Sequence, residues 1–291
     1  MPRSVKAIIE AIRAEHDRVL RQIGDADPYA GRISIGLKEV LRTHFLLAEF
    51  FASKGEGLGG VGPKDINLLH SALFRQGTEF GGTLKWSDRI HVCASLMYGL
   101  ILNHPFYDAN KRTAFLTTLL HLQKIGRTPT VDGQEFENFT VAVADHKLEQ
   151  YNFYGRAGGT KSDQDVAAIA HFLRRNSRDI DLHFKQITYK KLQNIIAPHG
   201  LMLANPQHNR IDLIRVREED GAPLSTPKRL TKIGFHGWTR EVSAKDIHIL
   251  RMAAHLDVAD GYDSQSFFNG VEGPLQLIRK YEEPLRRLAF R

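Results

Sequence analysis

Several side chains that can act on a phosphoryl group lie within one short segment of the sequence, from His104 to Arg112. His104 can take the proton from an attacking hydroxyl. Asp108 can cap the first turn of a following helix, or hold Mg²⁺ through an oxygen. Asn110 adds an amide donor, and Lys111 and Arg112 add two positive charges. Together these groups suit an oligophosphate and its metal ion.

Two predicted helices position this segment. One covers 87–103 and ends just before His104, and the other covers 110–124 and begins just after Asp108. The free amides of the second helix's first turn form an anion site that the helix dipole strengthens. In the connecting loop, Pro105 limits the backbone and Phe106 can anchor it in the core.

Each of these features alone is typical of ordinary structure. An Asp at a helix start is most often only a cap, a Lys-Arg pair is usually a solvated face, and a His before a Pro is usually a loop residue. The ordered combination between two helices favours a phosphate site.

The rest of the chain divides into two parts that differ in their sequence patterns. Apolar residues recur at helical spacing in the first part, and glycines mark loops at 53–63 and 76–85. The further helices predicted there cover 4–23, 36–52, 65–73, 134–149 and 163–175.

The pattern changes near residue 180. We predict a helix over 188–197, a hairpin of strands 201–205 and 210–217, a strand over 229–235, and helices over 243–256 and 273–289. The fold class is therefore mainly α, with an all-helical domain over 1–179 followed by a smaller α+β domain over 180–291.

Composition narrows the class of protein. Apolar residues make up 42% and charged residues 25% of 291 residues, which is typical of a globular protein. With one cysteine, Cys93, an internal disulfide and a cysteine-rich metal site are excluded. The sequence start lacks the apolar core of a signal peptide, and no run of about 18 apolar residues occurs, so we expect a cytoplasmic protein with no membrane partner.

The segment His-Pro-Phe-Tyr-Asp-Ala-Asn-Lys-Arg at 104–112 resembles the motif of Fic-domain proteins, and specifically the Doc (death-on-curing) branch of toxins. The stretches 39–44, 68–73, 94–102 and 113–115 also resemble Doc sequences. The resemblance covers about 36–178.

The resemblance implies roles that agree with the chemistry above. His104 would be the general base for a Ser, Thr or Tyr hydroxyl of a protein substrate, and Asp108 would hold Mg²⁺. Asn110, Lys111 and Arg112 would grip the phosphates of ATP. The glycine-rich stretch 77–84 would be a flap that docks the target in an extended form. Its flap residues would be Gly81, Gly82 and Thr83.

Two departures from the ordinary Fic pattern decide which phosphate is transferred. Ordinary Fic proteins have Gly-Asn-Gly-Arg and usually transfer the nucleotide monophosphate, whereas this chain has Ala109-Asn110-Lys111-Arg112. The lysine is typical of the Doc branch, in which the nucleotide is thought to bind reversed, so that the terminal phosphate is transferred. Kinase activity is therefore favoured. The alternatives are AMP transfer to a protein hydroxyl, and an inactive Fic fold that serves as an interaction or nucleic-acid-binding module.

The resemblance also suggests partners. The usual Doc target is a threonine of translation elongation factor Tu. The family's self-inhibitory motif is not found in this sequence, which favours control by a separate antitoxin protein.

Residues 180–291 lie outside the resemblance, and their element order is loosely like that of small RNA-binding toxin domains. Nucleic acid is therefore a further candidate partner, and the residues that could contact it are Lys190, Lys191, Arg210, Arg215 and Arg217, with His208 at the hairpin tip and Trp238 as a stacking residue.

Overall fold

The protein is described here by a computed structural model that covers residues 5–130, 132–179, 186–217, 223–257, 267–268 and 274–291. The chain forms two compact units. The first comprises Met1–Asp179 together with Pro274–Arg291, and the second comprises Ile180–Gly273. Each unit has its own apolar core. None of the helices in the described ranges combines the length and the apolar character that a membrane span needs.

The first unit is helical, as the spacing of its apolar residues predicts. Its helices from the first part of the chain are α1 (Val5–Ile23), α2 (Leu37–Ser53), α3 (Ile66–Phe74), α4 (Arg89–Leu102), α5 (Asn110–Lys124), α6 (Gly133–Ala144) and α7 (Lys161–Arg175). Helix α5 lies at the centre, because ten of its fifteen residues are buried and it packs against α2, α4 and α6.

Two small antiparallel pairs complete this part. Strands β1 (Glu79–Phe80) and β2 (Thr83–Leu84) form a hairpin, and β3 (Arg127–Pro129) pairs with β4 (Ser177–Asp179). The β3–β4 pair was not predicted from the sequence. It joins the end of α5 to the end of α7.

The C-terminal helices belong to the first unit, which corrects the predicted domain of 180–291. Helices α10 (Pro274–Lys280) and α11 (Glu282–Arg287) bury Leu277, Ile278 and Leu285 in the first core. The carboxylate of Glu137, fully buried on α6, pairs with Arg287 at 2.6 Å and Arg291 at 2.7 Å. A buried carboxylate needs such partners, so the chain end is bound firmly to this unit.

The second unit contains α8 (Tyr189–Ile196), an antiparallel sheet and α9 (Ala244–Ala254). The sheet has the order β5 (Leu201–Gln207), β6 (Arg210–Arg217) and β7 (Pro223–Gly234). Strand β7 begins before the predicted 229–235. Side chains from one sheet face pack with both helices in the second core, as Leu203, Leu213 and Leu250 show. The predicted helix, hairpin, strand and helix are thus all present.

Candidate active site

The loop between α4 and α5 is bounded by two residues in the left-handed backbone region. His104 has φ 47° and Ala109 has φ 60°. For residues other than glycine this conformation costs about 1 kcal/mol or more, so the surrounding contacts must hold the loop in place. Position 109, where ordinary Fic proteins have glycine, thus adopts a conformation that favours glycine, although the residue is alanine.

Asn110 closes the loop rather than reaching outward. Its side-chain Oδ1 accepts the Phe106 N–H at 2.9 Å, and its Nδ2 donates to the Phe106 carbonyl at 3.0 Å. We expected this amide to bind phosphate; the structure uses both ends of it to brace the loop. The side-chain amide is therefore occupied within the loop, and the backbone N–H of this residue is the group that can meet a phosphate.

Phe106 anchors the loop in the core, as predicted. Its ring stacks on the imidazole of His44 with centroids 4.0 Å apart and planes 9° apart. His44 is fully buried, and its Nε2 accepts the Gly62 N–H at 3.0 Å. A backbone amide only donates, so Nδ1 carries the ring proton and donates to Thr113 Oγ1 at 3.0 Å. Burial, followed by the charge of Arg112, lowers the pKa of His44 to about 3, which keeps the ring neutral.

A second loop, preceding α3, runs beside the first one. The Lys64 N–H donates to the Pro105 carbonyl at 2.9 Å, and the Tyr107 N–H donates to the Gly62 carbonyl at 3.3 Å. A Cβ atom on Gly60 would lie 2.7 Å from the Cβ of Tyr107, so this close approach requires glycine. The sequence predicts only a loop here, and not its contact with the motif.

Asp108 is held by both loops. Its Oδ2 accepts the Gly59 N–H at 2.8 Å and Nη2 of Arg112 at 3.2 Å, and its Oδ1 accepts the adjacent Ala109 N–H. The hydrogen bonds from the two amides and the charge of Arg112 outweigh the effect of burial and lower the pKa of this carboxyl. Asp108 is thus ionised at neutral pH.

The start of α5 lacks a side-chain cap. The N-cap residue is Ala109, and within the described residues Asp108 bonds the side chain of Arg112 but none of the backbone amides in the first turn of the helix. The amides of Asn110, Lys111 and Arg112 therefore remain available, and with the helix dipole they can bind an anion. This arrangement supports the predicted phosphate site more directly than a capped helix would.

Arg112 is a nearly buried cation, with 4% of its surface exposed. Its guanidinium bonds Asp108 and lies 5.4 Å from the ring centroid of Phe51, while its Nε is buried without a hydrogen-bond partner in the described part of the protein. Burial lowers its pKa, and the charges of Asp108 and Glu56 act in the opposite direction. An unpaired buried donor of this kind is costly unless an anionic ligand completes its bonding.

His104 lies exposed at the mouth of the site. Desolvation, followed by the positive charges of Lys64 and Lys111, lowers the pKa of its imidazole. The ring is therefore neutral at physiological pH, which is the form that accepts a proton. Lys64 was not predicted as a site residue, because it lies forty residues before the motif and a lone exposed lysine carries no sequence signal.

A change of Lys64 to alanine is expected to move the acid limb of any His104-dependent rate to higher pH. Loss of the positive charge raises the pKa of His104, so the ring becomes protonated, and inactive as a base, at a higher pH than before. An NMR titration of the His104 ring measures the same shift without an activity assay. Lys147→Ala, which removes an exposed lysine paired with Asp145, is the matched control. An unchanged titration of His104 in the Lys64 variant would contradict the assignment.

The C-terminal helix α11 reaches the loop that holds Asp108. Arg286 Nε bonds both carboxylate oxygens of Glu56, at 2.9 and 3.0 Å, and Lys54 Nζ bonds Glu282 at 2.5 Å. Glu56 precedes Gly59 in the same loop, and its charge acts on Arg112. The chain end therefore supports the position of the Gly59 amide.

Arg286→Ala is expected to speed hydrogen exchange at Gly59 and to weaken nucleotide binding about twofold to fivefold, because ion pairs that remain partly open to solvent contribute modestly. Hydrogen exchange and a nucleotide titration measure the two effects. The control is Arg13→Ala, which breaks an exposed pair with Glu49 at 3.1 and 3.2 Å. Equal effects of the two variants would show that α11 has no special connection to the site.

The residues at the site fit one Mg²⁺ ion that is bound partly by substrate and water better than a metal ion whose ligands all come from the protein. No group of three or more His, Cys, Asp or Glu side chains that could hold a metal occurs among the described residues. Asp108 alone supplies a carboxylate, and its two oxygens offer about four acceptor positions, of which three are used. Mg²⁺ in nucleotide sites is usually bound by one or two carboxylates, substrate phosphates and water, so Asp108 suits it.

The predicted flap is a β-hairpin. Its turn residues Gly81 and Gly82 have φ of 58° and 77°, as a type I′ turn requires, and Phe80 pairs with Thr83. All four strand residues are exposed. Within the described ranges, no hydrogen bond, ion pair or ring contact joins the flap residues to 104–112.

The comparisons with known proteins give one family match. The model of the Fic/DOC family matches residues 9–122, so the match begins within α1, earlier than the expected 36, and ends within α5 rather than at 178. No curated protein and no solved structure matches the chain. The Fic/DOC family match therefore falls within the first unit, and the loop from His104 to Arg112 lies inside the matched residues.

Proposed function

We propose that this protein transfers the terminal phosphate of ATP to a Ser, Thr or Tyr hydroxyl of another protein. The observation that carries the proposal is the exposed imidazole of His104 beside the uncapped start of α5, where the charges of Lys64 and Lys111 act on it. The family match supports a Fic-type protein-modifying transferase in general. The choice of phosphate, the target and the biological role are our inferences.

In the proposed reaction the target hydroxyl oxygen attacks the γ-phosphorus of ATP. A new oxygen–phosphorus bond forms, the bond from the γ-phosphorus to the β,γ-bridging oxygen breaks, and ADP leaves. The hydroxyl proton passes to His104. Lys111, Arg112 and the first-turn amides of α5 stabilise the negative charge of the phosphates.

Asp108 would hold Mg²⁺, which when bound neutralises phosphate charge. The bonds from Gly59, Ala109 and Arg112 fix the direction of this carboxylate and keep it ionised. Arg112 thus has two roles, since it orients Asp108 and presents a cation to the phosphates.

Lys111 favours phosphate transfer over AMP transfer. It stands where ordinary Fic proteins have a second glycine, and its side chain adds both volume and charge next to His104. A nucleotide bound with its α-phosphate at this position would have less room. We therefore place this chain in the Doc branch, with AMP transfer as the second candidate.

The Doc interpretation extends to the biological role. The chain would act in the cytoplasm as the toxin of a toxin–antitoxin system, with a threonine of elongation factor Tu as a candidate target. A separate antitoxin would cover the phosphate site.

The exposed hairpin around Gly81, Gly82 and Thr83 would pair with an extended target segment through its free backbone groups.

The deciding experiment is incubation of the protein with cell lysate and ATP labelled separately at the α and γ positions. Label from the γ position on a protein supports the kinase, and label from the α position supports AMP transfer. No label from either, together with an unchanged cellular phenotype for His104→Ala, would favour an inactive Fic fold acting as an interaction module.

A further inference from the structure

One end of the second unit contains a cleft that the proposed phosphate transfer does not use. The turn between β5 and β6 faces the segment after β7, and together they line an open cleft of about 350 Å³. The lining residues are 206–209 and 235–237, which include two imidazoles and two side-chain amides. This volume lies within the range of small-ligand sites and suits a nucleobase or a nucleotide.

The walls of the cleft are fixed by backbone bonds. His208 and Asn209 form a tight turn with φ of 48° and 57°, and the Asn209 carbonyl accepts the Phe235 N–H at 2.8 Å. The hydroxyl of Tyr189 donates to the Gly234 carbonyl at 2.7 Å. These contacts preorganise the cleft, which lowers the entropic cost of binding a ligand there.

An aromatic side chain stands next to the cleft. Trp238 is 40% exposed, and its ring meets that of Phe235 edge to face, with centroids 5.4 Å apart. Its carbonyl accepts the Lys190 N–H at 2.9 Å, which places the start of α8 beside it. A partly exposed, edge-supported indole is a suitable platform for a stacked base.

Exposed cations surround the indole and the cleft. Arg210 begins β6 next to the turn, and Lys190 and Lys191 lie in the first turn of α8. Arg240 lies in the loop between β7 and α9, two residues after Trp238. None of the four has an ion-pair partner among the described residues. The described strands β5 to β7 contain one acidic residue, Asp212, which is already paired with Lys232 at 3.5 Å. The exposed Glu241 is the acidic residue of the adjoining loop.

We propose that this end of the second unit binds single-stranded nucleic acid. A base stacks on Trp238, its neighbour enters the cleft with the amides of Gln207 and Asn209 at its edge, and the phosphates contact Lys190, Lys191 and Arg210. The free indole favours unpaired bases over a duplex, whose bases are already stacked. The side-chain amides of Gln207 and Asn209 and the ring of Trp238 can bind bases, so they favour nucleic acid. An acidic peptide would use only the cations.

The test is a titration of the full chain with short RNA and DNA single strands of about ten nucleotides, with polyglutamate as the matched polyanion. Binding is expected to weaken about 15-fold between 50 and 200 mM salt, since about three phosphate contacts give a slope near −2. Trp238→Ala should weaken it about tenfold to a hundredfold, while Trp238→Phe retains most of the affinity. Binding of either RNA or DNA with this salt dependence and these effects of the Trp238 variants supports the proposal.

Two control variants separate this site from others. Lys228→Ala with Arg229→Ala removes exposed cations elsewhere on β7 and should weaken binding much less than Lys190→Ala with Arg210→Ala. His104→Ala should bind the strands unchanged, so the result does not depend on the phosphate-transfer proposal. Absence of binding at 50 mM salt, or polyglutamate binding as tightly as the oligonucleotides, would overturn the proposal.

Discussion

Replacement of His104 by alanine is expected to slow phosphate transfer about 100-fold or more, because a positioned general base contributes that much or more to such a reaction. Desolvation and then the neighbouring cations lower the pKa of the ring and keep it neutral, and its exposed position leaves it open to an incoming hydroxyl. Nucleotide affinity should change little, since the phosphates are bound by α5, Lys111 and Arg112. The rate with γ-labelled ATP and a separate nucleotide titration measure the two quantities.

His146→Ala is a closely matched control. His146 is also exposed, follows a helix and has a positive φ, of 58°. Both substitutions therefore change the same kind of backbone position, and only one removes the proposed base. A His104 variant that keeps more than half of the rate would refute the base assignment, even if the protein is a kinase.

The helices of the first unit follow from local sequence alone. The predicted 110–124 coincides with α5, and the predicted 36–52 differs from α2 by one residue at each end. Of the predicted 4–23, residues 5–23 form α1, and residue 4 lies outside the described residues. Helical periodicity extends over several turns, so it gives a strong signal. The β3–β4 pair gives none, because three-residue strands some fifty residues apart show no measurable alternation.

The site residues that lie together in one sequence segment could be predicted. The backbone groups that distant segments contribute to the site could not. The motif residues lie together in the sequence, whereas Gly59 contributes only an N–H that any residue could supply. The close approach at Gly60 leaves a faint signal, one glycine among several in its loop. His44 and Arg286 lie on ordinary amphipathic helices, and only tertiary packing reveals their bonds to the loops.

Acidification from pH 7 to pH 5 is expected to lower the free energy of unfolding of the first unit by about 4 kcal/mol. His44 and His121 are both fully buried, and burial lowers their pKa values to about 3 and about 4. In the unfolded chain both have the ordinary value near 6.5. The unfolded state therefore binds more protons below pH 6.5, and each histidine contributes about 2 kcal/mol to the loss at pH 5.

Urea unfolding at pH 7 and pH 5, followed by Trp86 fluorescence in a Trp238→Phe background, measures this loss. His121→Gln should remove about half of the pH dependence, because it removes one of the two buried imidazoles. The fold should be kept, since a glutamine amide can still donate to the Ile33 carbonyl that His121 bonds at 2.8 Å. His146→Gln should leave the dependence unchanged, since that residue is exposed. Equal pH dependence in the His121 variant and the parent protein would contradict the assignment.

For His44 the same acid sensitivity reaches the proposed active site. Protonation of Nε2 would break the bond from the Gly62 N–H, and that bond holds the 59–62 loop beside Phe106 and Asp108. The protection factors of the Gly62 and Gly59 amides, which correct for the slower intrinsic exchange at low pH, should therefore fall together as the pH falls toward 5, before those of amides in the middle of α5. A protection factor at Gly62 that changes in parallel with those of α5 at every pH would show that the loop separates only when the whole unit unfolds.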